Sequence, residues 1–212
     1  MSCTARRRRE AAPFRWAIRP TDTSERLNVR DLPVEPPFVL PSDADAVARF
    51  HAGEPAPEHR LHLELFPEPF LGRSDAPVVL LNMNPGFSER DASGAQWWAQ
   101  HLGALLARYG RRHVANTLLC VEYFPYHSER FRFPEVLPSQ TYGFSLVRSA
   151  IARGAVIVVL RARSAWLQAV PELGSYVRTY TLRNHQRVWI TEGNCPDGYA
   201  TVLAAIATAS SN

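Results

Sequence analysis

Lysine is absent from this chain, and all 24 of its basic residues are arginine. An arginine-only complement is what a GC-rich genome produces, and it also suits an anionic partner, because guanidinium groups make bidentate phosphate contacts. The formal net charge of +4 points the same way and allows nucleic acid. Cysteine is scarce: Cys3, Cys120 and Cys195 are odd in number and lack metal-ligand spacing. They argue for a reducing cytoplasmic setting and against zinc or an iron–sulfur cluster, so no metal and no cofactor is expected. No apolar stretch approaches the ~18 residues that span a bilayer, which excludes a membrane-spanning helix. Arg6 to Arg9 form a charge run with no apolar h-region behind it, unlike a secretory leader. A glycine-rich phosphate-binding loop is also missing, which weakens a nucleotide-processing enzyme of an unrelated α/β type.

What is present is a globular composition, 46% hydrophobic and 21% charged over 212 residues. That suits one α/β domain with an extension, expected as a monomer. Prolines at 13, 20, 33, 36, 37, 41, 55 and 57 break up residues 1–60. Within them only Ser42 to His51 reads as a helix, with Ser42 as its cap and Val47 and Phe50 on one face. The Arg run reads as a solvated tail that would add salt-sensitive affinity on DNA. The domain proper is expected over 61–212.

Its first long element is the run Val78-Val79-Leu80-Leu81, ending in Asn82-Met83-Asn84-Pro85-Gly86-Phe87. An unalternating apolar run predicts a central parallel strand covered on both faces. Ligands bind outside the carboxyl ends of such strands, which puts Asn84, Pro85, Gly86 and Phe87 at a mouth. Strands are further predicted at Leu61 to Leu65, Val114 to Val121, Ala155 to Leu160, Tyr180 to Arg183 and Arg187 to Thr191. Helices are predicted at Ser93 to Tyr109, Ser145 to Arg153, Ser164 to Val170 and Asp197 to Thr208; Trp97 and Trp98 fall on the apolar side of the first. This alternation predicts a three-layer α/β sandwich around a mostly parallel sheet.

Asn82-Met83-Asn84-Pro85-Gly86 resembles the first motif of the uracil-DNA glycosylase superfamily. It is most similar to the Met-Asn-Pro-Gly form of the single-strand-selective branch and the Ile-Asn-Pro-Gly form of the mismatch-specific branch. The resemblance covers roughly the last three quarters of the chain and implies the glycosylase fold. By it, Asn84 positions the attacking water and Phe87 stacks on the extruded base. Glu122, in Glu122-Tyr123-Phe124-Pro125, stands where the single-strand-selective branch has a base-reading asparagine. An ionised glutamate only accepts hydrogen bonds, which favours the exocyclic amine of cytosine over uracil. Met83, Pro85, Gly86 and Tyr126 complete the implied base-binding set. The family's third motif, His-Pro-Ser-Pro, is replaced by Glu192-Gly193-Asn194-Cys195-Pro196-Asp197. Asn194 and His127 are the candidates to stabilise the departing base in its stead.

The resemblance therefore implies a DNA glycosylase that flips a base from the stack and hydrolyses its N-glycosidic bond without a metal, leaving an abasic site. Arg90, Arg130, Arg132 and Arg163 are expected to contact phosphates and Tyr199 to wedge into the gap. Glu122 directs the substrate expectation towards a hypermodified cytosine, such as the glucosylated hydroxymethylcytosine of bacteriophage DNA, removed as antiviral defence. The alternatives are repair of a uracil-type base and a nucleic-acid-binding module that kept the fold without the chemistry.

Overall fold

The computed structural model describes residues 32–87 and 99–209. Arg6 to Arg9, Arg90, Trp97 and Trp98 lie outside them. Five strands form one sheet in the order β1-β3-β2-β4-β5. They are β1 (Phe70–Gly72), β2 (Val78–Asn82), β3 (Leu118–Glu122), β4 (Val156–Val159) and β5 (Thr179–Thr181). β1 runs antiparallel to β3, and the other pairings are parallel. The helices are α1 (Ala44–Ala52), α2 (Gly103–Tyr109), α3 (Arg111–Thr117), α4 (Gln140–Ala152), α5 (Arg163–Ala169) and α6 (Tyr199–Thr208). None of the helices among the described residues is long and apolar enough to cross a membrane.

The expected three-layer α/β arrangement follows from how the strands divide their side chains. Val79, Leu81, Leu119, Val121, Ile157 and Val159 pack on one face, against side chains from α1, α4 and α5. Val78, Leu80, Leu118, Cys120, Val156 and Val158 pack on the other, against α2, α3 and α6. Continuous apolar runs are thus explained by burial on both sides. The chain leaves β2 for β3 on one side and β4 for β5 on the other. The connections thus change direction between β2 and β4, and in open α/β sheets ligands bind outside the carboxyl ends of the strands at such a reversal.

Several elements differ from expectation. Leu61 to Leu65 is no strand: Leu61 and Leu63 turn inward, but the backbone bonds go to loops, from Phe38 N to Leu63 O and from His62 N to His127 O. Residues 114–117 are the end of α3, a helix entered at Gly110 (φ +79°) with Val114 facing the core. Arg187 to Thr191 is also not a strand, because the side chain of Asn194 takes the backbone carbonyls of Arg187 and Trp189. Ser42 does not cap α1; its N-cap is Asp43, and neither side chain makes a capping bond. Gly72 is dictated by space: its φ is +109°, and a Cβ there would lie 2.2 Å from the carbonyl oxygen of Leu118.

The packed body also begins before residue 61, since Phe38, Leu40, Ala46 and Val47 are buried. Asp43, fully buried, holds this segment in place. Its carboxylate accepts from Tyr126 Oη (2.8 Å), Ser139 N (3.1 Å) and Ser42 Oγ (3.3 Å). Tyr126 Oη in turn accepts from Leu40 N at 3.1 Å. Asp43→Ala leaves two buried donors unpaired, and unfolding in denaturant is expected to show a loss of about 2–4 kcal/mol.

Candidate functional site

The parallel pairing of β2 with β3 sets Asn82 directly beside Glu122. Both end an apolar strand on the face that carries Leu80 and Cys120, because positions 78, 80, 82 and 118, 120, 122 alternate to the same side. Asn82 Nδ2 donates to Glu122 Oε1 at 3.2 Å, and the Cys120 thiol donates to the same oxygen at 3.7 Å. Glu122 Oε2 and Asn82 Oδ1 are buried and have no hydrogen-bond partner among the described residues.

Burial pushes the Glu122 carboxyl up to about 8, outweighing the bonds from Asn82 and Cys120 that favour the anion; Glu68 raises it further and Arg161 opposes. At neutral pH the group is mostly the uncharged acid, because removing a carboxylate from water costs more than these donors return. Since Oε1 already accepts twice, the proton belongs on Oε2. Glu122 therefore supplies a donor as well as an acceptor, and the sequence-based premise of an acceptor-only glutamate does not hold. The same burial, with Glu122 beside it, pushes the Cys120 thiol well above its usual range.

Past the strand end, Gly86 adopts φ +67°, and a Cβ there would meet nothing within 4 Å. The Asn-Pro-Gly turn thus runs beside open space, and its glycine is required by the backbone. Asn84, half-buried, donates through Nδ2 to both the carbonyl and the hydroxyl of Ser128 at 3.2 Å. That fixes the amide and leaves Oδ1 without a partner among the described residues. Met83 is partly buried against the core, and its carbonyl accepts from Phe124 N. Phe87 is stacked on His62, with ring centroids 3.4 Å apart and planes 13° from parallel.

Other expected site residues are engaged elsewhere. Both ring nitrogens of His127 face carbonyls, Gly86 O at 2.8 Å and Phe66 O at 3.2 Å. It clasps the Pro85–Phe87 turn and offers no free nitrogen. Tyr126 is buried with its hydroxyl bound to Asp43, so it belongs to the core and not to a base pocket. Asn194 spends its side chain on its own loop: Oδ1 accepts from Asn184 N, and Nδ2 donates to the carbonyls of Arg187 and Trp189. Its backbone N–H goes to Thr191 O. A donor for a leaving base is therefore not available there. Tyr199, the first residue of α6, is partly buried against the core. Arg130, Arg132 and Arg163 are exposed, as phosphate contacts need to be.

Sequence reasoning missed Asn82, Ser128 and Arg161. Counting by twos along the two strands would have found the first, since Asn82 and Glu122 continue the Leu80 and Cys120 positions. Arg161 follows β4, where Ala162 adopts the left-handed φ of +58°. Across the sheet, Trp166 Nε1 donates to Asn82 O at 2.8 Å, and Tyr123 N shares that carbonyl at 3.2 Å. Among the described residues no cluster of three or more His, Cys, Asp or Glu side chains is arranged to hold a metal ion.

Comparison with protein families, with curated proteins and with solved structures finds no match to this chain.

Glu122 makes folding pH-dependent in a definite direction. Its folded value of about 8 lies above the ordinary 4.5, so between those limits the folded state holds a proton the unfolded chain has released. Stability conferred by this group is complete below 4.5 and falls as pH rises towards 8. Glu122→Gln removes the titration. In denaturant unfolding at a series of pH values, the variant should gain on wild type by up to about 1.4 kcal/mol per pH unit across that window. A difference independent of pH would show that the carboxyl ionises normally.

Proposed function

We propose that this protein is a DNA N-glycosylase that extrudes a pyrimidine-type base and hydrolyses its glycosidic bond. The observation that carries the reading is the pair of unpartnered buried atoms, Glu122 Oε2 and Asn82 Oδ1, at the strand ends beside the Asn84 turn. A neutral acid next to an amide oxygen presents a donor beside an acceptor, the complement of a pyrimidine edge. On a cytosine-type base, Oε2–H donates to N3 and the exocyclic amine donates to Asn82 Oδ1. On a uracil-type base, Oε2–H donates to O4 and N3–H donates to Asn82 Oδ1. The primary substrate proposal is a hypermodified cytosine, with ordinary cytosine rejected by contacts to the added group. The neutral carboxyl favours uracil as a second reading, because it removes the argument against that base.

The same proton accounts for catalysis without the family histidine. As the C1′–N1 bond breaks, its electron pair leaves on the base, and the proton of Oε2 moves to N3 of a cytosine-type base, which departs neutral. Water held by Asn84 Oδ1 adds to C1′, and the proton it releases restores the acid through solvent. Arg130, Arg132, Arg161 and Arg163 contribute phosphate contacts that position without specifying. Phe87 stacks on the base in place of, or beside, His62.

Abasic-site formation on duplexes carrying uracil, hydroxymethylcytosine or glucosylated hydroxymethylcytosine tests the assignment and ranks the bases. Asn84→Ala is expected to fold and to lose more than ~2 orders of magnitude in single-turnover rate. Undiminished cutting by this variant would remove Asn84 from the chemistry. Glu122→Gln keeps a donor and an acceptor but has no proton to give. On a cytosine-type base it should cut slowly at every pH, whereas the wild-type rate should fall as pH rises through about 8.

A further inference from the structure

After β5 the chain leaves the sheet at the same carboxyl edge as β2 and β4, because the three strands are parallel. The loop that follows carries an exposed tryptophan, Trp189, which is 41% exposed as a residue. The Arg187 guanidinium lies 5.8 Å from the indole centroid. A cleft of about 220 Å³ opens beside them, lined by Asn184, Arg187, Trp189, Thr191, Gly193 and Asn194. Arg183 and His185 are exposed on the same loop, with Glu192 as its exposed acidic residue.

Hydrogen bonds within the loop fix its course. Asn194 Nδ2 holds the carbonyls of Arg187 (2.6 Å) and Trp189 (3.0 Å), and Asn184 Oδ1 accepts from Gln186 N (2.9 Å) and Arg187 N (3.2 Å). Val188 and Ile190, flanking Trp189, are buried and pin it from below. A platform already set in place costs little ordering on binding.

We infer that the Trp189–Arg187 cleft is a stacking subsite for an unpaired nucleobase of a single-stranded nucleic acid, with the guanidinium meeting the adjacent phosphate. The indole stacks on any base without reading its edge, and the charge tracks the backbone. β5 lies two strand spacings from β2, about 10 Å, and the loop that carries the cleft follows β5. As a nucleotide flanking the extruded base, the occupant of this cleft rests on the glycosylase reading. As a binding subsite it stands independently.

The test is fluorescence anisotropy of a labelled oligothymidylate and of a strand of equal length made of abasic sites, titrated with the full chain at several salt concentrations. Trp189→Ala should weaken oligothymidylate binding ~5- to 100-fold, leave the salt slope unchanged and leave abasic-strand binding unaltered. Trp189→Phe should restore most of the affinity. Arg187→Gln should weaken both strands and lower the salt slope by ~0.7. Circular dichroism and thermal unfolding establish that each variant is folded. Equal binding of oligothymidylate by wild type and folded Trp189→Ala overturns the subsite, as does an equal loss on both strands or no binding by wild type. Base excision by the same wild-type preparation would then leave the catalytic reading intact. Loss of excision with Trp189-dependent binding retained would overturn the catalytic reading alone.

Discussion

A carboxyl group withdrawn from water at the end of a parallel strand governs everything around the mouth. At neutral pH Glu122 is buried mostly as the uncharged acid, because the neighbouring Asn82 and Cys120 donors do not return the cost of desolvating an anion. Its burial follows from register. β2 and β3 pair so that the last residue of each falls side by side, and the apolar residues behind them place both on one face. Shifting either strand by one residue would turn its own polar group towards the opposite core face and part the pair, so strand pairing and site chemistry are a single constraint.

The two faces of the sheet divide the work. One carries Asp43, which is satisfied by three donors and joins the segment around α1 to Tyr126 and the start of α4. The other carries the Asn82–Glu122 pair, whose outer atoms have no partner among the described residues. Both are buried and polar, yet their hydrogen-bond accounts differ. A satisfied buried carboxylate stabilises the fold, whereas one with an open donor beside an open acceptor is costly without a ligand.

Apolar runs made the core strands and their layering legible, since β2, β3 and β4 are the three segments where unalternating hydrophobics end in a polar turn. The position of the Asn84 turn just past the end of β2 was legible for the same reason. Leu61 to Leu65 misled because burial on alternate residues also arises in a turn packed on one side, and residues 114–117 because a short helix can lead straight into a strand. Residue types alone misplaced Tyr126, His127 and Asn194. Tyr126 and His127 are committed to long-range partners that only the fold supplies, and Asn194 to the backbone of its own loop. The charge state of Glu122 was hidden likewise, because ionisation is set by burial and neighbours and not by the residue letter.

Trp166 shows how far such commitments reach. Its indole lies wholly inside the face opposite the Asn82–Glu122 side chains, yet its N–H binds the carbonyl of Asn82. The backbone that aims the amide at the site is therefore held from behind the sheet. A mutational scan scored on the proposed activity is expected to flag Trp166 together with Asn82 and Glu122, although its side chain lies on the other face of the sheet. Directed variation of specificity would accordingly find useful positions in the packing beneath the sheet as well as in the cleft above it.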